Sequence, residues 1–179
     1  MLARVAIRRY LDVERTVRLD DDIDAIFFEA SNTKSFENEA ARLAFRERWL
    51  GRYLRDDPQF AYLAVTPKGN VVGYLVGSVD GPASNRSAEA GGIAAFRDVN
   101  KLYPAHLHVN MAPLYRGLGI GGRLIDAFIA DARHAEAAGV HVVTGATSAN
   151  VRFYNRNGFR EIARGGPADT LVCLVRAFG

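Results

Sequence analysis

The 179 residues are 49% hydrophobic, enough to bury one core, and a single domain over 1–179 is expected. One cysteine excludes an internal disulfide and suits a reducing compartment, so the cytoplasm is expected. The net charge of +3 is a mild basic excess that suits an anionic small molecule without arguing for nucleic acid, and no apolar run approaches a membrane span. Neither nucleic acid nor membrane is therefore an expected partner, and Met1-Leu2-Ala3-Arg4-Val5 lacks the apolar stretch of a secretory leader.

Arg4–Tyr10 alternates polar and apolar residues and reads as a first strand. Asp20-Asp21-Asp22 supplies acids and a cap ahead of Ile23, Ile26 and Phe27, whose spacing is helical. A second helix is predicted from Asn38 to about Arg55, with Leu43, Trp49, Leu50, Tyr53 and Leu54 as its apolar stripe; Asp57-Pro58 ends it. Glu29, Glu37 and Glu39 read as solvated helix charges, with a role acting through water as the alternative. Phe60–Val65 and Val71–Val79 are strands joined by the turn Pro67-Lys68-Gly69-Asn70. The connection Gly81–Tyr103 is rich in Gly, Ala and Ser, with helical turns expected over Ile93–Asn100. It is either a surface excursion or a substrate-gating loop.

The apolar run Ala105–Met111 leads through Pro113-Leu114-Tyr115-Arg116 into Gly117-Leu118-Gly119-Ile120-Gly121-Gly122, four glycines within six residues. Leu124, Ile125, Phe128, Ile129 and Ala132 then mark one face of a helix, with Gly139 as its stop. Val140–Thr144 is a short buried strand. Ser148 can cap a helix over Ala149–Asn157, stopped by Gly158, and Phe159–Ile162 and Thr170–Arg176 close as an antiparallel pair. Cys173 falls in this last strand as a buried core thiol.

Strand, glycine turn and helix in that order make a phosphate cradle. Glycine lets a ligand approach the backbone, and the first helical turn leaves amides unpaired at the positive end of the dipole. Gly117-x-Gly119-x-x-Gly122 matches a dinucleotide fingerprint, but five residues separate it from the strand, and Val140–Thr144 ends in Gly145-Ala146 without the ribose-binding acid. No Gly-Lys-Ser/Thr follows, which excludes a Walker-type loop.

The spacing Arg116-x-x-Gly119-x-Gly121 resembles the Arg/Gln-x-x-Gly-x-Gly/Ala motif of the GNAT superfamily of acetyl-CoA-dependent N-acetyltransferases. Asn150-Val151-Arg152-Phe153-Tyr154-Asn155-Arg156-Asn157-Gly158-Phe159 resembles that family's second segment, Asn-x-x-x-Tyr…Gly-Phe. The resemblance covers about Tyr103–Ile162. It implies an α/β GNAT fold with a mixed, largely antiparallel sheet of six to seven strands and about four helices. Coenzyme A would enter between the strand ending at Met111 and that ending near Thr144.

The resemblance further implies acetyl-CoA as co-substrate and a small-molecule or peptide amine as acceptor, with no metal and with a homodimer among the open oligomeric states. Arg116, Gly117, Leu118, Gly119, Ile120, Gly121 and Gly122 would hold the pyrophosphate, helped by Asn150. The strand-end amides of Asn110, Met111 and Ala112 would face the thioester, with Met111 at the centre of the oxyanion site.

Tyr154, four residues after Asn150 on one helix face, is implied as the acid that protonates the thiolate; the alternative is a core aromatic beside Phe153 and Phe159. His106-Leu107-His108 places two imidazoles on one strand face, as bases, relays or structural histidines, with a metal pair the weakest option. This strand is similar to that of arylalkylamine N-acetyltransferases and to the acetyltransferase-like domain of O-GlcNAcases. The second likeness keeps a non-catalytic, coenzyme A-binding domain as the alternative.

Overall fold

A computed structural model describes residues 4–79 and 96–179. The elements in chain order are β1 (Ala6–Arg9), α1 (Val17–Ala30), α2 (Glu39–Arg46), a π turn (Glu47–Gly51) and α3 (Arg52–Asp56). Next come β2 (Ala61–Val65), β3 (Val71–Ser78), α4 (Arg97–Leu102), β4 (Ala105–Met111) and α5 (Ile120–His134). The chain closes with β5 (Gly139–Gly145), α6 (Ala149–Arg156), β6 (Arg160–Gly165) and β7 (Leu171–Ala177). The seven strands form one mixed sheet of order β1-β2-β3-β4-β5-β7-β6, in which β1-β2-β3 and β5-β7-β6 pair antiparallel and β4 pairs with β5 in parallel. The described residues fall into two compact units: 4–77 with 108–128, and 78–79 and 96–107 with 129–179.

In the first unit, α1 is capped by Thr16, whose hydroxyl accepts from the Leu19 amide, so the helix starts ahead of the acids expected to cap it. Asp22 instead reaches out of the helix and accepts from the Val71 amide at the start of β3. Leu19, Ile23, Ile26 and Phe27 bury one face against Leu50, Tyr53, Leu63 and Tyr74. Asn38 caps α2 through Ala41, and α2, the π turn and α3 run on as one helix that stops just before Asp57-Pro58. The π turn places Leu50 and Gly51 in the core and leaves Leu43 exposed, correcting the stripe expected for that residue. Gly69, at φ +83°, closes the hairpin between β2 and β3.

In the second unit, β5 pairs in parallel with the start of β4, Ala105 facing Val140 and His106 facing His141, and pairs antiparallel with β7 along its whole length. Gly139 does not stop α5. That helix ends at His134, Glu136 takes the left-handed turn at φ 60°, and Gly139 is the first residue of β5. A Cβ at Gly139 would meet Tyr103 Cδ1 at 2.7 Å and the Arg176 carbonyl at 2.8 Å, so close packing is what requires glycine there. Ser148 caps α6 as expected, and Gly158 leaves it at φ +85°. The expected loop from Gly81 lies outside the described residues as far as position 95; α4 follows, with Phe96 and Val99 packed on Cys173 and Val175.

Candidate active site

In the first unit the glycine turn is built as one rigid lead into α5. Pro113–Tyr115 form a 3₁₀ turn, with the Tyr115 amide bonded to the Ala112 carbonyl at 2.9 Å and that of Arg116 to Pro113 at 3.3 Å. Gly117 and Gly119 then adopt φ +75° and +76°, a region L side chains occupy only with strain. A Cβ at either would meet no atom within 4 Å, so the demand is purely conformational and the space above the turn stays open. Both glycines are therefore needed by the backbone.

The first helical bond of α5 runs from Arg123 to the Gly119 carbonyl at 3.3 Å. The amides of Ile120, Gly121 and Gly122 thus lie in the turn that has no carbonyl of its own helix to bond. Ile120 and Gly121 are buried, and the side chains that follow, Leu124, Ile125 and Phe128, anchor the helix in the core. Arg123 ties this turn to β1 through the Val5 carbonyl at 3.0 Å.

The end of β4 has an alternating hydrogen-bond pattern that sorts the strand-end amides. Ala112 donates to the Val72 carbonyl at 2.9 Å, so its amide is already spent on β3. By strand alternation the Asn110 amide faces the same neighbour, while those of Val109 and Met111 face the opposite edge. Gly73 of β3 makes room for the Met111 side chain; a Cβ there would run into its Sδ and Cε. Asn110 turns its side chain inward and donates to the Tyr74 hydroxyl at 2.8 Å, and burial pushes that phenol up.

The two strand histidines part company. His106 is 4% exposed, its Nδ1 is 3.1 Å from the Pro104 carbonyl, and its ring lies 5.6 Å from that of His141. His141 is buried with Nδ1 2.6 Å from the Tyr103 carbonyl, and burial lowers its pKa. His108 is half-buried in the first unit, with Nε2 3.2 Å from the Tyr53 hydroxyl and its ring edge-on to Trp49 at 5.7 Å.

In the second unit Asn150 and Tyr154 share α6. Asn150 is exposed on the first turn, its amide bonded to the Ser148 hydroxyl at 3.1 Å, and its side chain reaches toward Thr144 Oγ1 at 3.5 Å. Tyr154 is buried between Phe153 and Phe159, ring centroids 5.2 and 5.3 Å away, and burial pushes its phenol up. Such a phenol keeps its proton at neutral pH.

The family model for acetyltransferases (GNAT) matches residues 18–159. The chain belongs to the GNAT acetyltransferase family. Solved structures share its fold: the crystal structure of SsHAT is 22% identical over 97% of this chain and 98% of its own, with a TM-score of 0.72. The ribosomal-protein-alanine N-acetyltransferase from Brucella melitensis is 24% identical over 97% and 99%, with a TM-score of 0.59. The NatC complex bound to Gag peptide and CoA is 16% identical over 98% and 99%, with a TM-score of 0.65.

One partner of the family's glycine turn was hidden in the sequence. Glu29, read as a solvated charge, bonds the Arg116 guanidinium at 2.5 Å across 87 positions. Among the described residues no group of three or more His, Cys, Asp or Glu is placed to hold a metal, and no helix is long and apolar enough to cross a membrane.

Proposed function

We propose that the protein transfers the acetyl group of acetyl-CoA to a primary amine by direct attack, without a covalent enzyme intermediate. The observation that carries this reading is the turn from Arg116 to Gly122. Two left-handed glycines and a helix start expose backbone amides to an open approach, which suits a pyrophosphate held without a lysine. Family membership supports the same donor.

In this reading the amine nitrogen attacks the thioester carbonyl carbon and a C–N bond forms. The Met111 amide, on the edge of β4 away from β3, donates to the carbonyl oxygen as it becomes an oxyanion. The C–S bond then breaks, and Tyr154 gives its phenolic proton to the sulfur. The proton lost by the amine passes to His108 directly or through water and on to solvent, and Tyr154 is reprotonated from solvent, so the products are an N-acetylated amine and the free thiol of coenzyme A. A lysine-like amine near pKa ~10.4 is neutral at pH 7 in only roughly one molecule per thousand, so a base matters. His108, half-buried beside Trp49 and Tyr53, suits that task better than His106, which is packed on His141.

The acceptor is a small-molecule or peptide amine, and the cytoplasm is the compartment that a lone, buried Cys173 suits. Calorimetric titration with acetyl-CoA tests the donor half: saturable binding is expected, and none at millimolar donor would overturn the reading. Thiol release over a panel of polyamines, amino acids, aminoglycosides, arylalkylamines and peptides tests the transfer.

A further inference from the structure

The guanidinium of Arg116 is committed on two sides within the first unit. Its Nε donates to the Met111 carbonyl at 3.0 Å, and its terminal nitrogen donates to the Glu29 carboxylate at 2.5 Å. Glu29 belongs to the last turn of α1. Its own carbonyl and that of Phe28 receive the Lys34 ammonium, at 2.5 and 3.4 Å, so this helix end is itself held in place. Arg116 therefore closes a bracket: Met111 ends the strand, Gly117 opens the left-handed turn, and the guanidinium between them is fixed to α1.

From this geometry we infer that Glu29 is a positioning residue of the donor site, acting through Arg116, and that the Arg116 side chain holds the backbone instead of binding phosphate. This rests on the coenzyme A reading of the glycine turn. A guanidinium facing phosphate would present its fork to the ligand. Here one donor holds the strand-end carbonyl and another is neutralised by a carboxylate, which leaves the phosphate to the backbone amides of the turn. A cradle made of amides depends on their directions, and fixing the segment from Met111 to Gly117 before the ligand arrives lowers the cost of ordering it.

The test is a double-mutant cycle in coenzyme A affinity, measured calorimetrically on the wild type, Glu29→Gln, Arg116→Gln and the double variant at low and high salt. Each single change is expected to weaken binding about fivefold. The double variant should bind no more weakly than the weaker single, because both changes release the same bracket. The loss should be equal at both salt concentrations, since no cation is removed from a phosphate. Tm measured alongside should stay within a few degrees of wild type, which separates a positioning effect from a folding one.

Three results would overturn the inference: tighter binding by Glu29→Gln, multiplying effects in the double variant, or a loss for Arg116→Gln that shrinks at high salt. Absence of coenzyme A binding by the wild type would instead defeat the donor reading itself.

Discussion

Glu29 and Arg116 join the last turn of α1 to the start of the glycine turn through one ion pair, 2.5 Å long, with side chains 44% and 49% exposed. A pair that open to water contributes about 0–1 kcal/mol to stability. Its weight lies in what it orients. Glu29→Gln should therefore leave thermal unfolding within a few degrees of wild type, as scanning calorimetry would read, with any larger effect confined to ligand binding.

Removing the Tyr154 hydroxyl separates chemistry from packing. The ring is held by Phe153 and Phe159, so Tyr154→Phe keeps the aromatic contacts. Steady-state kinetics should show kcat at least tenfold lower, with acetyl-CoA affinity within about twofold of wild type. Because burial pushes this phenol above its ordinary value, activity should not be lost from deprotonation of Tyr154 between pH 7 and 9. Unchanged kcat in the Phe variant would remove Tyr154 from the reaction.

The glycine turn offers a conformational test with no steric confusion. An alanine at Gly119 would clash with nothing within 4 Å, yet would have to hold φ near +76°. The left-handed penalty is roughly 1–2 kcal/mol. Gly119→Ala should lower stability in urea by about that amount or relax the turn, and in either case weaken coenzyme A binding. Gly117→Ala should behave alike.

His106 and His108 should respond oppositely to the same substitution. His108→Gln is expected to lower kcat/KM and to flatten the acid limb of the pH–rate profile, with little effect on Tm. His106→Gln removes a buried ring packed against His141 and should lower Tm while leaving the shape of the profile intact. Identical profiles for wild type and His108→Gln would assign the base elsewhere.

His141 sets a limit on acid stability. Burial depresses its folded pKa below the ordinary 6.5, so the unfolded chain binds the proton more readily than the folded one. Stability is full above pH 6.5 and falls as the pH drops through the folded value. The ring lies beside that of His106 and is bonded by the backbone of Tyr103 and Ala105. Urea unfolding between pH 7 and 5 should show this slope, and His141→Gln should flatten it. Cys173 provides a companion check: burial raises its thiol to about 12, so it should resist alkylation until the protein unfolds.

Most of the strands and helices were legible because their signals are local. The apolar run Ala105–Met111, the Ser148 cap and the Gly158 stop each appear where spacing placed them. The α1 start was misplaced because three aspartates outweighed the single hydroxyl of Thr16, and the carboxylate of Asp22 serves β3. Gly139 misled because glycine serves helix ends and tight strand packing equally, and only Tyr103 and Arg176, distant in sequence, decide between them. The π turn was unreadable, since shifting the register by one residue leaves composition unchanged.

At the site, the glycine spacing was legible and the partner of Arg116 was not. A lone Glu29 at the end of a helix looks solvated until the fold brings a residue 87 positions away beside it. The same holds for the split between His106 and His108, which share a strand face and differ only in what other elements press against them.

The central claim is acetyl transfer from coenzyme A to an amine. It is tested most directly by following thiol release from acetyl-CoA over the amine panel while weighing the products by mass spectrometry. The expected result is one N-acetylated amine per thiol released, for at least one amine class, with the rate reduced at least tenfold in Tyr154→Phe. Saturable binding of acetyl-CoA with no thiol release above the uncatalysed rate across the panel would contradict it, and would leave a coenzyme A-binding domain without transferase activity.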